Sequence, residues 1–339
     1  MNLISQKLLT NPVIKDLIDN GDYSYATKQL LESQKISWKL LASNYEAIEN
    51  VQIKSFWFDG FKIKVQFNPE RIKSTAAEVD AKSVAERACF LCVENLPKEQ
   101  KGIILLDKFL LLCNPYPIFP QHFTISSLEH QPQRIEENFN EMLVISKLLS
   151  PGYTLVYNGP ECGASAPDHF HFQVGTKIFM PVEDDVQQMK NDFGNVIIDD
   201  EKRILSLIDD GIRRIILIES SDQSEINKIF KKIFKGYKKI ALNPVEPMLN
   251  IICNYENEFG WNVIIFLREK HRPKYFYSKE PERILVSPAA IDLGGILITP
   301  REKDFIGINK ELVGEIFNEV SLNKKTFTLL EENLKEEFI

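Results

Sequence analysis

The stretch Asp168-His169-Phe170-His171-Phe172-Gln173-Val174 alternates polar and apolar side chains. In an extended strand, successive side chains point to opposite faces. His169, His171 and Gln173 then share one face, and Phe170, Phe172 and Val174 the other. The aromatic face anchors the strand in a core while the polar face fronts a pocket. A neutral imidazole attacks an activated phosphoryl group near pH 7 without a strong base. A carboxamide two residues on can hold a phosphoryl oxygen without giving up a proton. That pairing favours transfer between bound partners over hydrolysis. The plain alternative is two histidines on an exposed strand with no role. The preceding loop weighs against it: Asn158-Gly159, Gly163-Ala164-Ser165 and Pro167 offer close backbone approach and a hydroxyl, as a phosphate cradle needs.

Working outward, 153–157 reads as another strand. Residues 134–149 read as a helix with Ile135, Phe139, Met142, Leu143 and Ile145 as its buried stripe, stopped by Pro151-Gly152. The apolar run 103–113 and the short β-prone run 123–125 complete a strand-rich centre. Residues 1 to about 50 read as helical, broken at Asn11-Pro12 and Asn20-Gly21-Asp22. From 51 to 67 the pattern turns to alternating runs, with Phe61, Ile63, Val65 and Phe67 on one face.

A second half begins between Pro181 and Leu205. It carries a basic helix at 227–237 and strands at 248–254, 261–267 and 296–299. Phe230 and Phe234, beside Ile229 and Ile233, have the spacing of a buried helical stripe rather than of a base-stacking platform. No low-complexity linker divides the halves, so close packing is expected. No exact internal repeat is visible. The weak echo between 111–115 and 251–255, each an apolar run holding Cys-Asn, is of the kind chance produces. The expected division is a catalytic half at 1–190, with a helical extension and a metal site, and a second half at 191–339.

The chain has 339 residues, 44% apolar and 26% charged, with a formal net charge of -7. Such a balance fits a globular protein and argues against general nucleic-acid affinity, which needs a basic surface. No apolar stretch approaches the ~18 residues of a membrane span, and Met1–Thr10 lacks the pattern of a signal peptide. Five cysteines, an odd and small number, do not suggest a disulfide framework. A reducing, cytoplasmic location is expected.

Cys89-Phe90-Leu91-Cys92 has the two-residue spacing that suits two thiolates on one tetrahedral ion. A redox pair is the other reading, but no suitable strand-to-helix context is evident. Two further ligands would come from only five histidines. His122, His130 and His169 all qualify, and the residues alone do not choose among them.

The ordered set of motifs resembles the galactose-1-phosphate uridylyltransferase branch of the histidine-triad superfamily, close to the nucleotide-sugar and dinucleoside-polyphosphate phosphorylases. It begins at Asn68-Pro69-Glu70-Arg71 and continues through Arg87-Ala88-Cys89-Phe90-Leu91-Cys92 and Asn114. Ile125-Ser126-Ser127-Leu128-Glu129-His130 follows, then Asn158, Gly163, Ser165 and the His-x-His-x-Gln strand. The resemblance implies an α+β fold of antiparallel sheets with helices, in two related, closely packed halves. It implies Cys89, Cys92, His130 and His169 as ligands of a structural zinc, and His171 as the nucleophile that carries a nucleoside monophosphate. Gln173 and Ser165 would contact phosphates, with Asn114 and Asn158 near the nucleoside and Gly163 and Arg71 in the substrate site.

The chain departs from that pattern in places. Phe170 stands where the uridylyltransferases have proline, and the loop from Ser165 to His169 is one residue longer. The second half offers only His271, so no iron is expected. Its segments Glu246-Pro247-Met248-Leu249-Asn250, Trp261-Asn262 and Arg268-Glu269-Lys270-His271-Arg272-Pro273 look like those of the phosphorylases. The basic cluster Arg268, Lys270, His271 and Arg272 could bind an acceptor phosphate or a sugar phosphate, since arginine forks suit phosphate oxygens; a solvated turn is the equal alternative. Ser287–Gly295 reads as a structural turn.

The expected substrates are a nucleoside-diphosphate sugar or a dinucleotide, with phosphate or a sugar phosphate as acceptor. No nucleic acid or membrane is expected as a partner, and a homodimer is open. A histidine-triad hydrolase is the rival enzyme, disfavoured because such hydrolases carry a third histidine where Gln173 stands. A nucleotide-binding protein without catalysis is the rival outside enzymes.

Overall fold

The computed structural model describes residues 3–76, 83–84, 86–241 and 245–338. Within them the strands form two sheets. The first five strands are β1 (Gln52–Trp57), β2 (Lys62–Phe67), β3 (Gly102–Leu105), β4 (Phe109–Cys113) and β5 (His122–Ser127). The next five are β6 (Tyr153–Asn158), β7 (His171–Thr176), β8 (Gly194–Asp200), β9 (Arg203–Asp209) and β10 (Arg214–Ser220). The last three are β11 (Leu249–Glu256), β12 (Gly260–Leu267) and β13 (Ile296–Thr299).

The large sheet runs β3-β4-β5-β7-β6-β11-β12-β10-β9-β8, antiparallel throughout. Read inward from either edge, the order is the same: first, second, third, fifth and fourth strand of that half. In each half a helix joins the third strand to the fourth, Phe139–Leu148 in one and Gln223–Ala241 in the other. The two copies meet at β6 and β11, from Leu155 opposite Cys253 to Asn158 opposite Asn250. The chain is thus a duplicated fold whose repeat lies in topology rather than in shared residues.

Both joining helices pack on one face of the sheet. Phe139 and Phe230 stack with centroids 3.6 Å apart, and the Trp261 indole N–H donates to Leu143 O at 2.8 Å. Phe170, Phe172 and Val174 join this core, as the alternation predicts. Phe230, Phe234, Ile229 and Ile233 are core as well. The helices over residues 3–48 close the same face beyond β3 and β4. Asn11 caps one of them, its Oδ1 accepting from Val13 N at 2.9 Å with proline at the first helical position.

The opposite face is treated differently in the two halves. Over the second half it is covered by apolar packing from the Pro181–Phe193 helix, the small sheet β1-β2-β13 and the Lys310–Val320 helix. Over the first half the 86–100 segment covers it only in part, through Leu96 on Leu110 and Leu112. An opening remains above β7.

Three expectations need correction. Strand β7 begins at His171, so His169 lies before it in a turn, its N–H donating to Ala166 O at 3.1 Å. The helix expected over 134–149 begins only at Phe139; residues 136–138 form a turn instead, after the Ile135 N–H has donated to the Glu246 carboxylate at 2.7 Å. Strands β8 to β10 were not foreseen. Strand β10 is buried along nearly its whole length, and a strand buried on both faces shows no alternation.

Candidate active site and metal centre

Cys89 and Cys92 sit on a turn, His130 follows the end of β5, and His169 precedes β7. Their ligand atoms all lie within 4.8 Å of one another. Cys89 Sγ is 3.3 Å from His169 Nδ1, and Cys92 Sγ is 3.2 Å from His130 Nδ1 and 3.5 Å from His169 Nδ1. A tetrahedral zinc with Zn–S of about 2.3 Å and Zn–N of about 2.0 Å sets sulfur and nitrogen ~3.6 Å apart. The four residues therefore fit such an ion. The tautomer agrees: His169 Nε2–H donates to Ser127 O at 2.9 Å, leaving the Nδ1 lone pair toward the thiolates. His122, the third histidine that qualified on sequence, lies elsewhere.

His171 is buried, only 3% exposed, yet its ring lines an open cleft. Its Nδ1 is 2.8 Å from the carbonyl oxygen of His169. A carbonyl can only accept, so Nδ1 carries the proton and Nε2 keeps its lone pair. Burial lowers the imidazole pKa to about 4, against a partial rise from the bond to the His169 carbonyl. The ring is neutral at ordinary pH, as a nucleophile must be.

Gln133, which the sequence did not single out, braces the backbone at His171. Strands β6 and β7 pair from Tyr153 opposite Thr176 to Val156 opposite Gln173 and then part. The same register would next set Asn158 against His171. The Gln133 carboxamide fills that gap. Its Nε2 donates to Asn158 O at 3.0 Å and His171 O at 2.9 Å, while its Oε1 accepts from His171 N at 2.8 Å. The side chain thus replaces the ladder where the strands must open.

The cleft above β7 has a volume of about 440 Å³. His171, Gln173, Asn114 and Thr124 form its floor, Phe90, Leu96 and Leu112 give apolar walls, and Arg71 and Arg87 stand at its side. A second, smaller pocket of about 70 Å³ adjoins it. Arg71, Ser165 and Gln173 line both spaces, and Asn158, Gly163, His271, Arg272, Ser287 and Asp292 complete the smaller one. Asn158 Oδ1 accepts from Asn250 Nδ2 at 2.8 Å and Ala290 N at 2.9 Å, which turns its own N–H2 group to the pocket. Gly163 has a φ of 96°, and a Cβ there would lie 2.6 Å from the Ala289 side chain, so glycine lets the loop meet the pocket wall.

Charge in the small pocket is mixed. Burial, then Arg272 and Arg268, lowers His271 to about 4. Burial raises Asp292 to about 6 even though its carboxylate accepts from Ala289 N and Ile298 N. With His271 neutral, Arg71 and Arg272 are the lining cations. The segment 287–295 is more than a turn: Ser287, Ala289, Ile291 and Asp292 form a pocket wall.

The basic cluster of the second half separates. Arg268 is not a phosphate ligand. Its Nε donates to Val320 O, Nη1 to Asn250 Oδ1 and Pro288 O, and Nη2 to Lys270 O and His271 O, at 2.6–3.1 Å. All five N–H groups of the buried guanidinium are spent on the fold. Lys270 points to the surface and pairs with Glu319 at 3.1 Å. His271 and Arg272 are the members of the cluster that line the small pocket.

A family model described as a domain of unknown function (DUF4922) matches residues 30–176, and one described as the C-terminal domain of GDPGP1-like proteins matches 187–338. The crystal structure of yeast Ap4A phosphorylase Apa2 with AMP superposes with a TM-score of 0.59, covering 87% of this chain and 96% of that one at 14% identity. The chain shares the fold of that phosphorylase, and its second half matches the domain described for GDPGP1-like proteins. The same yeast enzyme with Ap4A gives a TM-score of 0.57, with 87% and 97% covered at 14% identity. A structure of uridylyltransferase matches at 0.39 with 12% identity over 74% of this chain and 91% of that one, too distant to weigh. No curated protein sequence matches the chain. The duplicated sheet is the frame; the Cys-His cluster, His171 and the larger cleft lie in its first half, and residues of both halves line the smaller pocket.

Proposed function

We propose that the protein is a nucleotidyltransferase of the phosphorylase type, in which His171 carries a nucleoside monophosphate between two substrates. The single observation that supports this most is the bond from His171 Nδ1–H to the His169 carbonyl, which leaves a neutral Nε2 as the nucleophilic atom in the cleft. The cleft holds the nucleoside, with Asn114 near it, whereas Asn158 lines the small pocket rather than the cleft. The small pocket with Arg71 and Arg272 holds the acceptor, and its size and charge suit phosphate better than a sugar phosphate.

In the first step Nε2 attacks the α-phosphorus of a nucleoside-diphosphate sugar or dinucleotide. A P–N bond forms and the P–O bond to the leaving phosphate or phosphate ester breaks. That oxygen leaves as a phosphate anion and needs no proton. The imidazolium so formed keeps Nδ1–H on the His169 carbonyl, which stabilises the positive ring. In the second step an acceptor phosphate oxygen attacks the same phosphorus and Nε2 leaves, restoring the neutral ring. Gln173, Ser165 and Arg71 stand where both half-reactions converge and donate to the phosphoryl oxygens.

Cys89, Cys92, His130 and His169 would hold zinc. With four protein ligands the ion supplies a structural clamp and no open position for substrate. His169 then ties the clamp to the carbonyl that orients His171. In this reading residues 1–190 supply the chemistry and 191–339 close the acceptor pocket. Gln173 disfavours the hydrolase reading, since it offers no proton to a leaving group.

Incubation with a panel of nucleoside-diphosphate sugars and dinucleoside polyphosphates, followed by intact-mass analysis, tests the proposal. One substrate class should add the mass of a nucleoside monophosphate to the wild type and none to His171→Ala. Tight binding without any adduct would instead favour the non-catalytic reading.

A further inference from the structure

His122 is fully buried beneath the divide between cleft and pocket, on β5 beside the catalytic strand. Its backbone is held on both sides: the Tyr45 hydroxyl donates to His122 O at 2.9 Å and accepts from His122 N at 3.0 Å. Its ring stands edge-on to Phe119, centroids 5.2 Å apart. Two polar contacts complete its surroundings. Ile118 N–H reaches His122 Nδ1 at 3.1 Å, and His122 Nε2 lies 3.3 Å from Gln173 Oε1.

The chemistry of these contacts fixes every proton along the row. A backbone N–H can only donate, so Nδ1 must be the unprotonated nitrogen of His122. Nε2 must then carry the hydrogen, and it points at Gln173. An imidazole N–H requires an acceptor, so the near atom of the Gln173 carboxamide is its oxygen. The N–H2 group is left facing the space shared by the two cavities. Burial, with Arg71 close by, depresses the His122 pKa to about 3, so the ring does not gain a second proton in the working range.

We propose that His122 is a positioning residue that locks Gln173 as a pure hydrogen-bond donor toward the transferred phosphoryl group. This rests on the nucleotidyl-transfer reading above. A free carboxamide presents either its oxygen or its nitrogen, and only the nitrogen is welcome against phosphate oxygens. The backbone of Ile118 thereby dictates, through two side chains, which end of Gln173 the substrate meets. The arrangement selects acceptor-bearing groups, such as phosphate and phosphonate oxygens, at this point of the site.

Long-range 1H–15N spectra of imidazole-labelled wild-type protein read the tautomer without any substrate. His122 should show a protonated Nε2 and a bare Nδ1; the reverse tautomer would overturn the proposal. The consequence is read by kcat/KM in a mutant cycle with Gln173→Ala. His122→Asn keeps an acceptor for Ile118 but cannot reach Gln173, and should lose about tenfold, the worth of one hydrogen bond to a charged group. His122→Gln places a donor near the original Nε2 and should stay within about threefold of wild type. In the Gln173→Ala background His122→Asn should cost less than about twofold, because its effect passes through Gln173. Multiplicative losses would make His122 merely structural and contradict the proposal. If wild type forms no nucleotidyl adduct at all, the enzymatic reading fails, while the tautomer still decides the orientation of Gln173.

Discussion

Strands β7 and β12 hold the same place in the two halves, each the fifth strand of its copy, set between the third and the fourth. On the face shared with the joining helices they are alike: Phe172 and Val174 in one, Trp261, Val263 and Ile265 in the other. On the opposite face they differ. Strand β7 presents His171 and Gln173 to an opening, whereas β12 presents Ile264 and Phe266 beneath an apolar cover, with the half-buried Asn262 at its end. One copy keeps a polar row under an uncovered face and becomes a site; the other fills that face and becomes scaffold. Its remaining share in the candidate site is Arg272, which lines the small pocket, and Asn250, which braces Asn158.

Matched substitutions break or sharpen this contrast. The largest effect is expected for His171→Ala, which removes the proposed nucleophile and should lower turnover by at least ~10³-fold. Asn262→Ala on β12 should leave the rate within about twofold, though it moves an equivalent strand. Comparable losses from both would contradict an asymmetric pair. Next, Arg272→Met should raise the KM for acceptor phosphate about 10- to 100-fold with little change in donor binding. Lys270→Met, two residues away but paired on the surface, should change neither.

Metal removal distinguishes the halves by stability. Chelation, or Cys89→Ser, should slow adduct formation by about 10- to 100-fold. Limited proteolysis should then cut first near the Cys-x-x-Cys turn and leave 187–338 resistant. Early cutting in the second half would show that the clamp serves the whole sheet. Gln133→Leu removes the brace between β6 and β7. It should cost about 1–3 kcal/mol of stability and lower kcat more than it raises KM, since small misplacement of a reacting group is expensive. Unchanged kcat in a folded variant would deny Gln133 that role.

The smallest effect concerns pH. Glu246 is buried on the Tyr157 hydroxyl and the Ile135 N–H, and burial raises its pKa to about 7 from 4.5. A carboxyl raised on folding contributes stability that is fully present below its unfolded value and is lost as pH climbs through the folded one. Glu246→Gln should therefore match wild type near pH 4 and exceed it by up to about 3 kcal/mol at pH 8. A difference independent of pH would show that the group is not protonated in the fold.

The sequence was most legible where local chemistry and local geometry coincide. The alternation through 170–174 placed Phe170, Phe172 and Val174 in the core and His171 with Gln173 at the cavity, because strand periodicity is a short-range property. It misplaced His169 by beginning the strand at Asp168, three residues too early; the turn that brings His169 to Cys89 and Cys92 breaks periodicity. The duplication left no repeat in the residues, because its two copies share strand order while their cavity faces have opposite chemistry; only the family resemblance implied two related halves. Arg268 looked like a phosphate ligand from its neighbours, and only the carbonyls of residues 270, 271, 288 and 320 with the Asn250 side chain reveal that it is spent. Gln133 and His122 act on groups 38 and 51 residues away. No local pattern marks such partners, and His122 in particular competed with His130 as a metal ligand until the fold separated them.

The central claim is that the nucleotide passes through one imidazole, which requires two in-line displacements at the same phosphorus. A substrate with a chiral α-phosphorothioate reports this directly. Each displacement inverts the centre, so the account predicts a product with overall retention of configuration. A product of inverted configuration would mean a single direct displacement, with His171 carrying nothing.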